Sequence, residues 1–288
     1  MRRAQRLSGR AWRTRADVER RIRRLGSANA AVAVFGPEDR ASSGWCKATA
    51  QRFDLYRERF PPASDSVALI CVSQRPGLLE DVIANVARQE DVDVEFVFVT
   101  NHERFGDIDI DQHLALTPDA TVIEMSPEAT LGACLNAGLA ATGQRFVAKF
   151  DDDDRYGSHY LADALRAHGY AGAGVVGKHT YYADVGEPAD RYLRFPGHEF
   201  SYSATLAGGT LVIDRERTGD LVFDDVSLGE DRRFIAACHR RGVSTFSADR
   251  FGFVQRRNDD NTWAVPAEQF LVGCTPVEPG QPEHDVDR

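Results

Sequence analysis

The sequence predicts an α/β fold with a mostly parallel central sheet flanked by helices. Residues 67–72 form a continuous apolar run, as expected of a strand buried on both faces. Leu78, Leu79, Val82, Ile83 and Val86 then recur at helical spacing. Further strand-like runs at 92–99 and 145–150 are separated by a second helical face, and strands alternating with helices argue for a parallel sheet covered on both sides.

The elements follow in order. After the first strand, residues 73–77 make a loop containing Arg75 and Pro76. The second strand ends at Thr100 and Asn101, and residues 120–124 form a short third strand. Leu131, Cys134, Leu135, Gly138 and Leu139 mark the second helical face. The strand at 145–150 runs directly into Asp151, Asp152, Asp153 and Asp154. Tyr160, Leu161, Ala164 and Leu165 make a helix, and residues 172–178 read as a loop and strand. Residues 180–206 are aromatic and polar with no clear period, and residues 207–213 are a Gly-led strand. Ser227 and Glu230 have the spacing of a capping box before the helical face Phe234, Ile235, Cys238. The tail after residue 273 reads as loose.

The four aspartates are the most informative feature. Adjacent carboxylates repel, so a positive group is expected to offset them. They stand just past a strand end, where α/β folds bind ligands. Carboxylate oxygens suit Mg²⁺ or Mn²⁺, which are typically held by one or two carboxylates plus substrate phosphates. That chemistry points to a nucleotide or sugar-nucleotide ligand. The plainer alternative is a solvated acidic turn with Ser158 capping the next helix.

Composition fits a globular enzyme: 288 residues, 42% apolar and 27% charged. No run of eighteen apolar residues and no signal-peptide core is present. Five cysteines without a CxxC pair read as reduced residues of a cytoplasmic protein. Charge is uneven. Residues 1–25 carry ten arginines against Asp17 and Glu19, a local +8, which leaves −17 for the rest of a chain whose total is −9. Such an arm is either solvated or in peripheral contact with an anionic membrane; no nucleic-acid partner is expected. Residues 26–40 read as a linker.

The order of motifs resembles the GT-A fold of family-2 glycosyltransferases over roughly residues 65–272. The carriers are the Leu-Gly-x-Cys-Leu-Asn-x-Gly stretch at 131–138 and the Lys-Phe-Asp-Asp-Asp-Asp-x-Tyr-Gly stretch at 149–157. Ala-Gly-Gly-Thr at 207–210, Gly-Glu-Asp at 229–231 and an Arg…Thr-Trp closing motif at 256–263 complete the set. Residues 1–64 then form a basic arm with a linker or helical segment, and 273–288 an acidic tail. The resemblance implies a metal-dependent, inverting transfer from a nucleotide-sugar donor to a glycan, a polyol-phosphate polymer or a lipid-linked acceptor.

It also implies roles. Asp151 and Asp153 match the Asp-x-Asp motif: Asp153 would hold the metal on the donor diphosphate, Asp151 would face the ribose or the metal, and Asp152 and Asp154 would support them. Ser73, Arg75, Thr100 and Asn101 stand where the family places its nucleotide, and Asn136 lies in the stretch lining the donor pocket. Asp231 matches the general base, with Glu230 beside it; the rival role for both is favourable placement at a helix N-terminus. Gly208 and Gly209 either admit the donor sugar or serve a tight turn into the strand. Arg256 and Arg257 are candidate phosphate partners. The resembled subgroup has His where this chain has Asn261, a candidate third metal ligand. Tyr181, Tyr182, Tyr192, Phe195, His198 and Phe200 read as an acceptor groove or as an irregular lid. Two rivals stand beside this reading. One is a nucleotidyltransferase, against which the single glycine of residues 73–77 counts; the other is a catalytically silent GT-A module.

Overall fold

The computed structural model describes residues 47–257 and 265–277, except 115, 116, 118, 119 and 187. The basic residues 1–25, the 26–40 linker, Asn261 and the end of the tail lie outside the described residues. Two sheets are present. The larger has eight strands, and its first half is parallel: β1 (Ser66–Ser73), β2 (Asp93–Thr100), β3 (Thr121–Glu124) and β4 (Phe146–Asp151), in the order β3-β2-β1-β4. Ser73 pairs with Thr100 and Val72 with Asp151, so three adjacent strands end in one row.

Both faces of this sheet are covered. Leu69, Cys71, Phe96 and Phe98 point into one core with helices α1 (Lys47–Arg59), α2 (Leu79–Ala87) and α5 (Tyr160–Ala171). The alternate residues Ala68, Ile70, Val97 and Val99 point into the other, with α4 (Leu131–Ala141) and α7 (Glu230–Arg240). That two-sided burial is why the strands read as continuous apolar runs. Between these helices lie the short α3 (Ile110–Leu114) and α6 (Arg215–Thr218). Gly138 lets α4 lie close on β1, because a Cβ there would stand 2.7 Å from Ile70 Cγ2. Helix α1 contributes Phe53, Leu55 and Tyr56 to the first core, and Arg57 makes a two-toothed ion pair with Asp163 on α5.

Past the aspartates the sheet becomes mixed. Strand β10 (Val212–Asp214) runs against β4 and against β6 (Val175–Gly177). Outside these lie β11 (Thr245–Ser247) and β9 (Ser201–Tyr202). The second sheet orders β13 (Cys274–Pro276), β8 (Asp190–Arg194), β7 (Tyr181–Val185), β12 (Phe253–Arg257) and β5 (Arg155–Tyr156).

Three local expectations are corrected. The stretch 180–206, which lacks a period in sequence, holds β7, β8 and β9; Tyr181, Tyr182 and Phe200 are buried core residues rather than groove walls. Ser158 does not cap α5, whose N-cap is His159 without a side-chain bond. Nor does Ser227 cap α7: the N-cap is Gly229, at φ +78°, so Glu230 is the first helical residue instead of the third.

Candidate active site

The four aspartates alternate. Asp152 and Asp154 point inward, at 4% and 3% exposure, while the side chains of Asp151 and Asp153 retain 34% and 16%. The inward pair is tied down. Asp152 accepts from Ser73 Oγ at 2.5 Å and Arg75 Nε at 3.1 Å, and Arg75 Nη2 closes the pair. Asp154 accepts from the Arg256 amide at 3.0 Å, and its carbonyl takes Asn85 Nδ2 at 2.9 Å. Burial raises both carboxyl pKa values; Arg75 opposes this at Asp152, and the charges of Asp153 and Asp151 add to it at Asp154. The inner aspartates thus fold the turn and aim the outer two at the row of strand ends.

Cations balance the outer pair. Lys149 Nζ lies 2.6 Å from Asp151 Oδ1, and Arg75 Nη2 lies 2.9 Å from Asp153 Oδ2. Lys149 is buried and also faces Glu230 Oε1 at 3.7 Å. Burial pushes its pKa down, but Asp151, Glu230 and Asp231 more than reverse this, so the ammonium stays charged. Glu230 is 4% exposed; burial raises its pKa against the opposing pull of Lys149.

The Gly-Gly turn joins the two carboxylate motifs. A Cβ on Gly208 would fall 2.9 Å from Asp231 Cγ, and one on Gly209 would fall 2.7 Å from Asp151 Oδ2. Tyr156 OH donates to the Gly209 carbonyl at 2.7 Å and accepts from the Asp151 amide at 2.9 Å, locking this turn to the end of β4. The glycines therefore make room for Asp231 and Asp151, a role the sequence reading did not assign them.

Ser73, Thr100 and Asn101 are buried at the strand ends. Asn101 donates from Nδ2 to the Ala129 carbonyl at 3.1 Å, while its buried Oδ1 has no partner. Three other candidates are engaged elsewhere. The Asn136 amide is bonded at both ends to the Phe223 backbone, at 2.9 Å each way, and so clamps the loop leading to α7. Arg256 Nη1 reaches Asp81 at 3.1 Å, and Arg257 Nη2 reaches the Val265 carbonyl at 2.8 Å.

Lys149, Tyr156 and Asn85 were missed as site residues. For Lys149 a signal existed: a lysine inside a buried strand, two residues before an aspartate and so on the same face, needs that aspartate as partner. Asn85, which also accepts from the Tyr156 amide at 3.1 Å, sits inside an apolar helical pattern and left no comparable signal.

Oxygen donors suit Mg²⁺ or Mn²⁺ at the outer pair. Among the described residues no group of three or more His, Cys, Asp or Glu is placed to hold a metal. Two carboxylates alone fit a cation that takes its remaining ligands from a bound phosphate.

A parallel sheet whose strand ends carry outward aspartates, opposed by a Gly-Gly turn and a helix-borne carboxylate, defines a GT-A nucleotide-diphospho-sugar transferase fold. The Glycosyl transferase family 2 profile matches residues 67–222, more than half of the chain, and the chain belongs to that family. No curated protein matches its sequence. Among solved structures it resembles S. aureus TarS 1-349 in complex with UDP-GlcNAc, with TM-score 0.54 and 14% identity over 73% of this chain and 64% of that one. It also resembles the mannosyltransferase PcManGT from Pyrobaculum calidifontis in complex with GDP-Man and Mn²⁺, with TM-score 0.53 and 15% identity over 77% and 65%. A further match to S. aureus TarS, at 15% identity and TM-score 0.53, covers 66% of this chain and only 36% of TarS. Such identities speak for the fold alone. No helix among the described residues is long and apolar enough to cross a membrane.

Proposed function

We propose that the chain is a divalent-metal-dependent, inverting glycosyltransferase. The observation that carries this is the meeting of Asp151 and Asp231 at neighbouring glycines, a metal-suited carboxylate beside one free to act as base. Asp151 and Asp153 would hold Mg²⁺ or Mn²⁺ on the donor diphosphate. The ion would supply Lewis-acid stabilisation of the leaving diphosphate. The burial of Ser73, Thr100 and Asn101 in one row at the ends of β1 and β2 supports placing the nucleotide beside them.

Asp231 accepts the proton of an acceptor hydroxyl as its oxygen bonds to the anomeric carbon. The bond from that carbon to the diphosphate breaks in the same displacement. One in-line displacement inverts the anomeric centre. Asp231 Oδ1 takes the Arg232 amide at 2.6 Å, which leaves Oδ2 toward Gly208. The acceptor in this reading is a glycan, a polyol-phosphate polymer or a lipid-linked acceptor. The enzyme works in the cytoplasm, with residues 1–25 touching an anionic membrane at most peripherally.

Incubation with UDP-GlcNAc and GDP-Man, with and without Mn²⁺, tests the reading. It expects metal-dependent release of nucleoside diphosphate. Binding without turnover would replace it with a silent sugar-nucleotide-binding module.

A further inference from the structure

Lys149 and Asp151 stand on one face of β4, two residues apart. The lysine side chain is only 5% exposed, and its ammonium touches Asp151 at 2.6 Å and faces Glu230 at 3.7 Å. Glu230 opens α7, and the next residue is Asp231. The start of this helix has no side-chain cap; its N-cap is a glycine with positive φ. Something else must therefore fix where the helix begins.

We propose that Lys149 is a positioning residue for transfer: one buried ammonium ties Asp151, on the donor side, to the first turn of the helix that carries Asp231. The inference rests on the transferase reading of the site. Two features beyond the ion pairs support it. The carboxylate of Asp231 lies against Gly208 and bonds the amide of its own neighbour Arg232, so its location follows that of the helix start. On the loop before α7, Asn136 clamps Phe223 and the Gly132 amide donates to the Val226 carbonyl at 3.0 Å. The loop is thereby anchored to α4, while the helix start itself is anchored to β4 by charge.

The tie predicts a split between binding and turnover. Without the ammonium, Asp151, Glu230 and Asp231 repel one another and the base swings from the donor. Nothing in that change removes a metal ligand, and losing a positive charge beside the site favours a cation. Lys149→Met should therefore keep or tighten the affinity for Mn²⁺ with UDP or GDP measured by calorimetry. It should lower kcat for hydrolysis of UDP-GlcNAc or GDP-Man about tenfold or more, with donor KM little changed. Glu230→Gln, which leaves the Lys149–Asp151 pair intact and guards against a misfolded Met variant, should lower kcat in the same sense. The double variant should lose no more than the worse single one, because both break the same tie.

Wild-type kcat in Glu230→Gln, or losses that multiply in the double variant, would overturn the inference while leaving the transferase reading in place. A wild type that hydrolyses neither donor with Mn²⁺ would remove that reading, and this inference with it.

Discussion

Gly208 and Asp231 are in contact: the space a Cβ would fill at Gly208 is occupied by the Asp231 carboxylate, with Cγ 2.9 Å from where that atom would stand. Gly209 stands in the same relation to Asp151. On the proposed reading the adjacent glycines would serve different steps, and substitution should separate them. Gly208→Ala should displace the base and cut turnover by about 10²-fold with nucleotide affinity retained. Gly209→Ala should instead weaken Mn²⁺-dependent UDP or GDP binding. Kinetics and calorimetry on both variants check this; matching defects in the two would show that the turn merely tolerates no side chain.

Asp231→Asn should leave nucleotide binding intact and slow transfer on the order of 10²- to 10⁴-fold, the usual contribution of a general base. Transfer at the wild-type rate would make Asp231 an acidic residue that only favours its helix N-terminus.

The central sheet was legible because burial on both faces writes itself as apolar runs, as at 67–72, and the aspartates because four like charges at a strand end demand a reason. The family motif singles out Asp151 and Asp153 but says nothing of how the turn is built: Ser73, Arg75, Asn85 and the Arg256 amide hold the other two. The strands at 181–194 were not legible, since neither face of β7 and β8 repeats a simple polar alternation and the pair closes on a distant β12. The capping box failed because its spacing fits equally a helix that starts two residues later, with Glu230 turned inward to Lys149.

Helix α1 should be needed for stability. Tyr56 is fully buried among Phe53, Phe60, Tyr170 and Phe200. Tyr56→Ala should cost about 3–5 kcal/mol, the range for deleting a large buried aromatic ring. Urea denaturation measures it; a loss under about 1 kcal/mol would mean the site collapses to fill the gap.

Acid should act through His168. Burial lowers its pKa from 6.5 to about 4. Below pH 6.5 the unfolded chain takes up a proton that the native state refuses until about pH 4, so this residue's contribution falls as pH drops through that window. The full loss is on the order of 3 kcal/mol. The stability difference between wild type and His168→Gln should therefore shift against wild type from pH 7 to pH 4. A difference independent of pH would contradict the buried neutral imidazole.

On the proposed reading, Asp151 and Asp153 bind the donor diphosphate through a divalent cation. Titration of UDP or GDP into Asp153→Asn with and without Mn²⁺, beside wild type, tests it most directly. Mn²⁺-dependent affinity is expected in wild type and its loss in the variant, with the melting temperature retained because Asp152 still holds Arg75. Equal Mn²⁺-dependent affinity in the two proteins would contradict it.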